Sequence, residues 1–150
     1  MRNSFTMIEL IFVIVILGIL AAVAIPRLMA NRDNAKVSVA AEEIRTIGNE
    51  IVSHVFSQAK VEDNLSRMSN VLQELETAGK VKIDTTDKSA IMKIGEIEDC
   101  ITFKVVSSGS EKNLTLELNT SQSDPVCTEV QKIIKSRGYN VPLVKQMVKF

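Results

Sequence analysis

The sequence predicts an α+β protein in which a long N-terminal helix precedes a small antiparallel sheet. Three observations predict this fold class. Residues 10–25 contain no polar or charged side chain. Between residues 37 and 55, apolar side chains recur every three or four positions, which is the period of a helix with one buried face. Residues 101–105 and 114–118 alternate apolar and polar side chains, which is the period of strands with one buried face.

The apolar run is long enough to span a membrane only when the residues before it are included. As a helix, residues 10–25 would extend roughly 24 Å, which is less than the ~30 Å of a hydrocarbon core. Counting from Phe5 gives about 31 Å, but this longer span contains Glu9. A carboxylate costs on the order of 2–3 kcal/mol at the bilayer centre and less near an interface. Glu9 therefore either has a function or reaches the water at the membrane surface.

Two common targeting signals account for this segment incompletely. A cleaved secretory signal has an apolar run of about 7–15 residues and then a small-residue site. Residues 22–24 fit such a site loosely, but the run continues to Pro26 and Glu9 stands at its front. A simple signal anchor keeps more Lys and Arg on its cytoplasmic side, whereas here only Arg2 precedes the run and three basic residues follow it by position 36.

A specific motif accounts for these features together. The stretch Ser4-Phe5-Thr6-Met7-Ile8-Glu9-Leu10 is followed by the apolar run and then by Pro26. This pattern resembles the N-terminus of type IV pilins and pseudopilins. The resemblance implies that residues 1–4 are a leader, and that a prepilin peptidase cleaves after Ser4 and methylates the new N-terminus at Phe5. The family usually has glycine before the cut; serine is also small, so we expect cleavage here.

The resemblance also implies roles for residues in the helix. In the family, the carboxylate that corresponds to Glu9 pairs with the N-terminal amine of a neighbouring subunit, here that of Phe5. Such pairing would offset the desolvation of both charges. Gly18 and Pro26 are expected to weaken the helix, since glycine adds backbone entropy and proline removes a hydrogen bond. We therefore expect a membrane and assembly helix over residues 5–29 and a periplasmic head over residues 30–150.

The head is predicted to contain helices and three or four strands. The first helix is expected to continue to about Gln58, and a second to run over residues 62–78 and end at Gly79. Strands are predicted at 91–94, 101–105 and 114–118, the last two joined as a hairpin by a turn at 107–110. A capping box of Thr128 and Gln131 predicts a short helix that ends at Gly138.

The two cysteines, Cys100 and Cys127, allow three interpretations. An exported head would permit a disulfide, and many pilins, which the chain resembles, bridge their C-terminal region. Closing a loop of this size would stabilise the fold by roughly 3–4 kcal/mol. Two buried free thiols are the first alternative, and a metal or redox role is the second. A zinc site is not predicted, since the cysteines are 27 residues apart and the one histidine is distant.

The charge distribution suggests one alternative partner. Eighteen basic and eighteen acidic residues cancel, so no global charge draws the protein to nucleic acid or anionic lipid. Residues 37–126 are acidic, however, and residues 127–150 carry five basic side chains and one acidic one. Lys132, Lys135 and Arg137 are therefore candidate DNA contacts. The simpler interpretation is that the tail packs on the acidic part of its own head or of the next subunit.

Enzymatic function and cofactor binding are not predicted. The sequence shows no Ser–His–Asp set, phosphate-binding glycine loop or pair of catalytic carboxylates. His54 lies beside the apolar helical face and is interpreted as a packed or surface side chain. Two acidic groups are candidate calcium ligands: Asp84 with Asp87, and Glu96 with Glu98 and Asp99. They lack the alternating oxygen ligands of a calcium loop, so solvated carboxylates are preferred.

The sequence thus predicts a non-enzymatic structural subunit. It would be processed by a prepilin peptidase, held in the bacterial inner membrane by one helix, and polymerised into a pilus or pseudopilus. Type II secretion and DNA uptake are the favoured systems, with other pilin-like subunits and an inner-membrane assembly platform as partners. The alternative is a minor pilin that binds DNA or acts as an adhesive module through its basic C-terminal tail.

Overall fold

The described part of the protein consists of a 52-residue helix, two shorter α-helices, one 3-10 helix and a five-stranded antiparallel sheet. The computed structural model describes residues 6–108, 111–120, 124–138 and 140–143. The chain divides into two units, Met1–Ala35 and Lys36–Phe150. The α+β fold class and its long N-terminal helix are confirmed.

Helix α1 (Met7–Gln58) contains the apolar N-terminal segment and, in the second unit, contributes side chains to the hydrophobic core. In that unit, one stripe of α1 is buried at three- and four-residue spacings, as the sequence predicts. Its buried apolar members are Ala40, Ile44, Ile47, Ile51 and Val55. These side chains belong to one hydrophobic core with residues of the sheet, among them Phe103, which is completely buried.

The predicted second helix over residues 62–78 is wrong in its extent, because the chain bends at Ser69. A 3-10 helix covers Leu65–Met68, and α2 covers only Asn70–Thr77. Ser69 has extended backbone angles, and its hydroxyl accepts a hydrogen bond from the Leu72 amide as the N-cap of α2. The predicted stop at Gly79 is confirmed. Gly79 has a φ of 70°, which glycine adopts without steric cost.

The sheet is an antiparallel meander in which the strands follow the order of the chain. Its strands are β1 (Val81–Asp84), β2 (Ser89–Ile94), β3 (Ile97–Ser108), β4 (Glu111–Leu118) and β5 (Asn140–Pro142). The predicted β3–β4 hairpin is confirmed by pairs from Ile101↔Leu118 to Ser108↔Glu111, and residues 109 and 110 of its turn lie outside the described ranges. The sheet has five strands rather than three or four, because the short strands β1 and β5 extend its two edges.

Helix α3 (Pro125–Arg137) begins earlier than the predicted capping box, which is wrong. Asp124 is the N-cap, and its Oδ1 accepts a hydrogen bond from the Cys127 amide at 2.8 Å. Pro125 occupies the first turn, where its missing amide hydrogen is not needed. Thr128 lies inside the helix, and its hydroxyl donates to the carbonyl of Asp124. The predicted end at Gly138 is confirmed by that residue's left-handed conformation.

Candidate functional site

The N-terminus of α1 holds Glu9 in a capping box with Thr6. The amide and the hydroxyl of Thr6 both donate to Glu9 Oε2, at 2.8 and 2.7 Å. The Thr6 hydroxyl in turn accepts from the Glu9 amide at 3.4 Å. The carboxylate is thereby placed at the positive end of the helix dipole. Our sequence analysis missed the capping role of Thr6, although a Thr followed three residues later by Glu is its usual signal.

This geometry places the carboxylate beside the predicted cleavage point. The Thr6 nitrogen that donates to Glu9 is covalently bonded to the carbonyl carbon of Phe5. Ser4 and Phe5 themselves lie outside the described residues, so cleavage between them stays a prediction. A carboxylate whose position is already set at this end of the helix has little side-chain freedom left to lose when it binds an amine.

The apolar part of α1 is exposed over its whole described length. An 18-residue window of this helix has a mean hydropathy of 3.1, and none of the window is buried within the chain. By length and composition, this segment is sufficient to cross a membrane. Removal of such a surface from water requires either lipid or other protein chains.

Gly18 and Pro26 both lie within the unbroken helix α1. Pro26 has no amide hydrogen, so the helix lacks the bond that residue 26 would otherwise donate to the carbonyl of Ala22. No atom outside the local helix backbone lies within 4 Å of the position that a Cβ on Gly18 would occupy. The predicted weakening of the helix at these two residues stays a prediction.

The predicted disulfide between Cys100 and Cys127 is confirmed. It joins β3 to α3 across 27 residues, with a Cα–Cα distance of 5.9 Å. Both cysteines are buried, at 0% and 1% exposure, so reductants in solution do not reach the sulfurs while the head is folded. The bond therefore has a structural rather than an exposed redox role.

Gln131 supports the disulfide from within α3, in a role that sequence analysis did not assign. Its side chain is buried, and Nε2 donates to the carbonyls of Cys100 and Asn119 at 2.9 and 2.8 Å. One carboxamide thus joins α3, β3 and the chain just after β4. The partners lie 31 and 12 residues away in sequence, so no local pattern could have indicated them.

The predicted basic contacts fall on and after α3. Lys132 and Lys135 are exposed, but Lys132 pairs with Glu129 at 2.6 Å, which lowers the positive charge available to a phosphate. Arg137 is the last residue of α3, and its side chain lies outside the described set, as do residues 144–150. The structure therefore places two of the three candidate DNA contacts on one helix, one turn apart.

The acidic candidates for calcium have partners of other kinds. Glu98 accepts from Lys82 and Lys93 at 2.6 and 3.2 Å, and these ammonium groups hold the pKa of Glu98 below its ordinary value. Asp84 accepts from two amides of the β1–β2 turn, which lowers its pKa as well. Within the described ranges, no group of three or more His, Cys, Asp or Glu side chains is arranged to hold a metal ion.

His54 is half-buried on α1, next to the core stripe. Its Nδ1 atom is buried and has no hydrogen-bond partner among the described residues. The packed position agrees with the interpretation of His54 as a structural side chain. The Ser57 hydroxyl donates to the backbone carbonyl of His54 at 2.9 Å rather than to its ring.

Comparison with known proteins concerns the same N-terminal region. The family model of the prokaryotic N-terminal methylation motif matches residues 1–25. The chain carries the prepilin-type N-terminal motif. This match includes the predicted cleavage point and Glu9, so the resemblance noted from the sequence is confirmed.

A curated relative extends the similarity beyond the prepilin-type motif. The chain is 50% identical over 46 residues to the type II secretion system core protein G of Pseudomonas aeruginosa. The aligned part is 31% of this chain and 32% of the relative, so the match spans about a third of either protein. No solved structure shows significant similarity to the chain.

Proposed function

We propose that this chain is a prepilin-type structural subunit that polymerises into a pseudopilus or pilus. The observation that carries this proposal is the Glu9 carboxylate, held by Thr6 at the start of an exposed apolar helix inside the matched motif. A membrane anchor needs no carboxylate at this position, and a charge there is unfavourable in lipid. A subunit that docks through an amine–carboxylate pair does need one.

The chemistry of processing supplies the partner of this carboxylate. Hydrolysis of the Ser4–Phe5 peptide bond would release residues 1–4 and leave a positively charged amine on Phe5. In an assembled polymer, the amine of one copy would bind Glu9 of the next. The pair replaces two separately desolvated ions with one hydrogen-bonded contact, which favours docking within an apolar surrounding.

The similarity to core protein G favours type II secretion over DNA uptake as the system in which the subunit works. In this proposal, the helix anchors the chain in the inner membrane. The head, residues 30–150, lies in the periplasm, where its two cysteines are oxidised to the disulfide. A prepilin peptidase, other pilin-like subunits and an inner-membrane assembly platform are the partners. The subunit has no catalytic role.

Two variants separate the charge of Glu9 from its capping role. Glu9→Gln keeps a side chain that can complete a capping box but removes the charge. Thr6→Ala removes the N-cap hydroxyl and keeps the charge. We expect both chains to be inserted and cleaved. We expect sedimentable polymers, isolated from host cells, to form in Thr6→Ala and to be lost in Glu9→Gln.

Mass spectrometry of the same samples should show an N-methylated N-terminus at Phe5. Recovery of only the intact Met1 form from cells with an active peptidase would contradict the proposal. Normal polymers in Glu9→Gln would show instead that the carboxylate acts only at the membrane surface.

DNA binding through α3 is the second candidate, favoured by the exposed Lys132 and Lys135. If these side chains contact phosphates, each lost cation lowers the salt slope of binding by about one. Duplex DNA binding by the detergent-solubilised chain should be compared with the triple substitution of Lys132, Lys135 and Arg137 to Gln. Salt-sensitive binding that the triple variant loses would support a DNA receptor. Equal DNA binding by the wild type and the triple variant would contradict the DNA-receptor candidate and favour the structural subunit.

A further inference from the structure

The chain carries a repeated short pattern that the proposed function does not use. Of its nine asparagines, three are followed two residues later by Ser or Thr: Asn64, Asn113 and Asn119. This spacing is the acceptor pattern of N-linked glycosylation. A glutamate also stands two residues before each of them, at Glu62, Glu111 and Glu117. Bacterial acceptor sites require an acidic residue at that position.

The composition of the chain does not account for this coincidence. Ser and Thr make up 22 of the 150 residues, and Asp and Glu make up 18. At these frequencies, chance would give the nine asparagines both features together roughly 0.2 times, whereas the chain has them three times. All three patterns lie within residues 62–121, in the part of the chain that the proposed function places in the periplasm.

Asn64 holds its side chain in a way that leaves the acceptor nitrogen unused. Its Oδ1 accepts from the amide and the hydroxyl of Ser66 at 2.9 and 2.7 Å, and so caps the 3-10 helix. Among the described residues, Nδ2 of Asn64 donates to no group, and the one buried side-chain nitrogen or oxygen without a partner is His54 Nδ1. Nδ2 of Asn64 therefore reaches the solvent. A glycan on Nδ2 would leave both hydrogen bonds of Oδ1 in place.

The other two acceptor asparagines are more constrained by the fold. Asn119 donates through Nδ2 to Asp99 at 2.6 Å, so a glycan on this nitrogen would compete with that bond. Asn113 lies opposite Val106 of β3 on one side and Pro142 of β5 on the other. A glycan on its half-buried side chain would therefore stand between two paired strands.

The order in which the segments pack also favours Asn64. Leu65 is completely buried and Ser66 is 8% exposed, so an enzyme can bind this acceptor only before the segment packs. The core that covers Leu65 includes strands that follow it in sequence, so the segment stays accessible until they emerge. Strand β4 pairs with β3 across two residues only, and such hairpins form in about 1–10 μs.

We propose that Asn64 is the principal acceptor of an N-linked oligosaccharide on the exported head. This inference rests on the proposed function only for the location of the head. The donor is an oligosaccharide joined through a diphosphate to a membrane lipid, and the transfer needs an oligosaccharyltransferase of the host. Nδ2 forms a bond to C1 of the first sugar and loses one proton. The bond from C1 to the diphosphate oxygen breaks, and its electron pair stays on the lipid diphosphate.

Mass spectrometry of the full chain, isolated from host-cell membranes, tests the assignment. Trypsin cleaves after Lys60, Arg67 and Lys112, which places Asn64 in the peptide 61–67 and the other two acceptors in the peptide 113–132. We expect an oligosaccharide on peptide 61–67, with a higher occupied fraction than on peptide 113–132. Fragmentation that retains the glycan should locate it on Asn64.

Three variants separate recognition of the acceptor from folding. Glu62→Gln removes the acidic recognition residue but keeps Asn64 and Ser66, so the glycan on peptide 61–67 should be lost. Glu62→Asp keeps the carboxylate and should retain the glycan. The matched control is Asp63→Asn, which removes the adjacent carboxylate and should also retain it. Formation of the Cys100–Cys127 disulfide in each variant shows that its head has folded.

The outcomes distinguish this inference from the proposed function. An unmodified peptide 61–67 in chains whose Phe5 is methylated would overturn the inference and leave the proposed function standing. A glycan mainly on peptide 113–132, or one that Glu62→Gln retains, would overturn it as well. A glycan on Asn64 in chains that keep an intact Met1 would support the inference and contradict the proposed function.

Discussion

Gln131→Leu should destabilise the head strongly while leaving its disulfide in place. Leucine has a similar volume but no donor, so the carbonyls of Cys100 and Asn119 would lose the hydrogen bonds that Nε2 now gives them. A buried polar group without a partner costs about 1–3 kcal/mol. The Cys100 carbonyl keeps the Asn119 amide as a donor at 3.3 Å, so only the Asn119 carbonyl loses its donor. We therefore expect a loss of about 1–3 kcal/mol in the free energy of unfolding.

Urea titration with pulse proteolysis measures this loss on the full chain in detergent. With a urea m-value of about 2 kcal/mol/M, the unfolding midpoint should fall by roughly 0.5–1.5 M. The matched control is Gln73→Leu, at an exposed position of α2, which should change stability by less than about 0.5 kcal/mol. Mass measurement should confirm that both variants remain oxidised.

A Gln131→Leu midpoint equal to that of Gln73→Leu would refute the reasoning. It would mean that water or a shifted donor satisfies the Asn119 carbonyl. Gln131 would then be a buried side chain without a bridging role.

Three further predictions concern the same head. Cys100→Ser should lower the free energy of unfolding by roughly 3–4 kcal/mol, the chain-entropy value for a 27-residue separation, and an unchanged urea midpoint would contradict it. NMR titration of Glu98 should give a pKa below its ordinary value, and Lys82→Gln should raise that pKa. The Glu98 carboxylate should stabilise the fold at pH values above its unfolded pKa of about 4.3, and this stabilisation is lost as the pH falls through the folded pKa. Gly95→Ala should be more destabilising than an average surface substitution, because φ is +63° and the new Cβ would lie 2.5 Å from Asp124 Oδ1; a midpoint within error of wild type would contradict this.

The elements predicted well are those whose signal is local. The apolar face of α1 and the alternation in β3 and β4 have the period of their own secondary structure, so a window of the sequence contains the information. Gly79 and Gly138 end their helices by their own backbone freedom. The prepilin-type motif is likewise contiguous.

The elements predicted wrongly depend on distant partners. A helix over residues 62–78 fits the apolar spacing, but Glu50 of α1 accepts from the Ser69 hydroxyl and the Val71 amide at 2.6 and 3.3 Å. These contacts hold the start of α2 where the chain bends. Strand β1 has four residues and β5 has three, which is too short for a periodic signal, and pairing with a neighbour defines them.

The start of α3 was wrong for a related reason. Thr128 and Gln131 satisfy the spacing of a capping box, and Asp124 with Pro125 satisfies an equally local N-terminal signal. The structure selects the latter. Because Asp124 caps α3, the Gln131 side chain does not cap its own helix and instead bridges α3 to the sheet.

The order of strands in the sheet has a consequence for how the head is made. From β2 onward, each strand pairs with the one before it in sequence. During synthesis from the N-terminus, the partner of each of these strands has therefore already emerged. Such sequential pairing keeps contact order low and favours fast folding with little exposed strand edge. Cys127 emerges after the β3–β4 hairpin that contains Cys100. The first four strands of the sheet have then already emerged. The time at which this disulfide forms in newly made chains would therefore report when α3 docks onto the sheet.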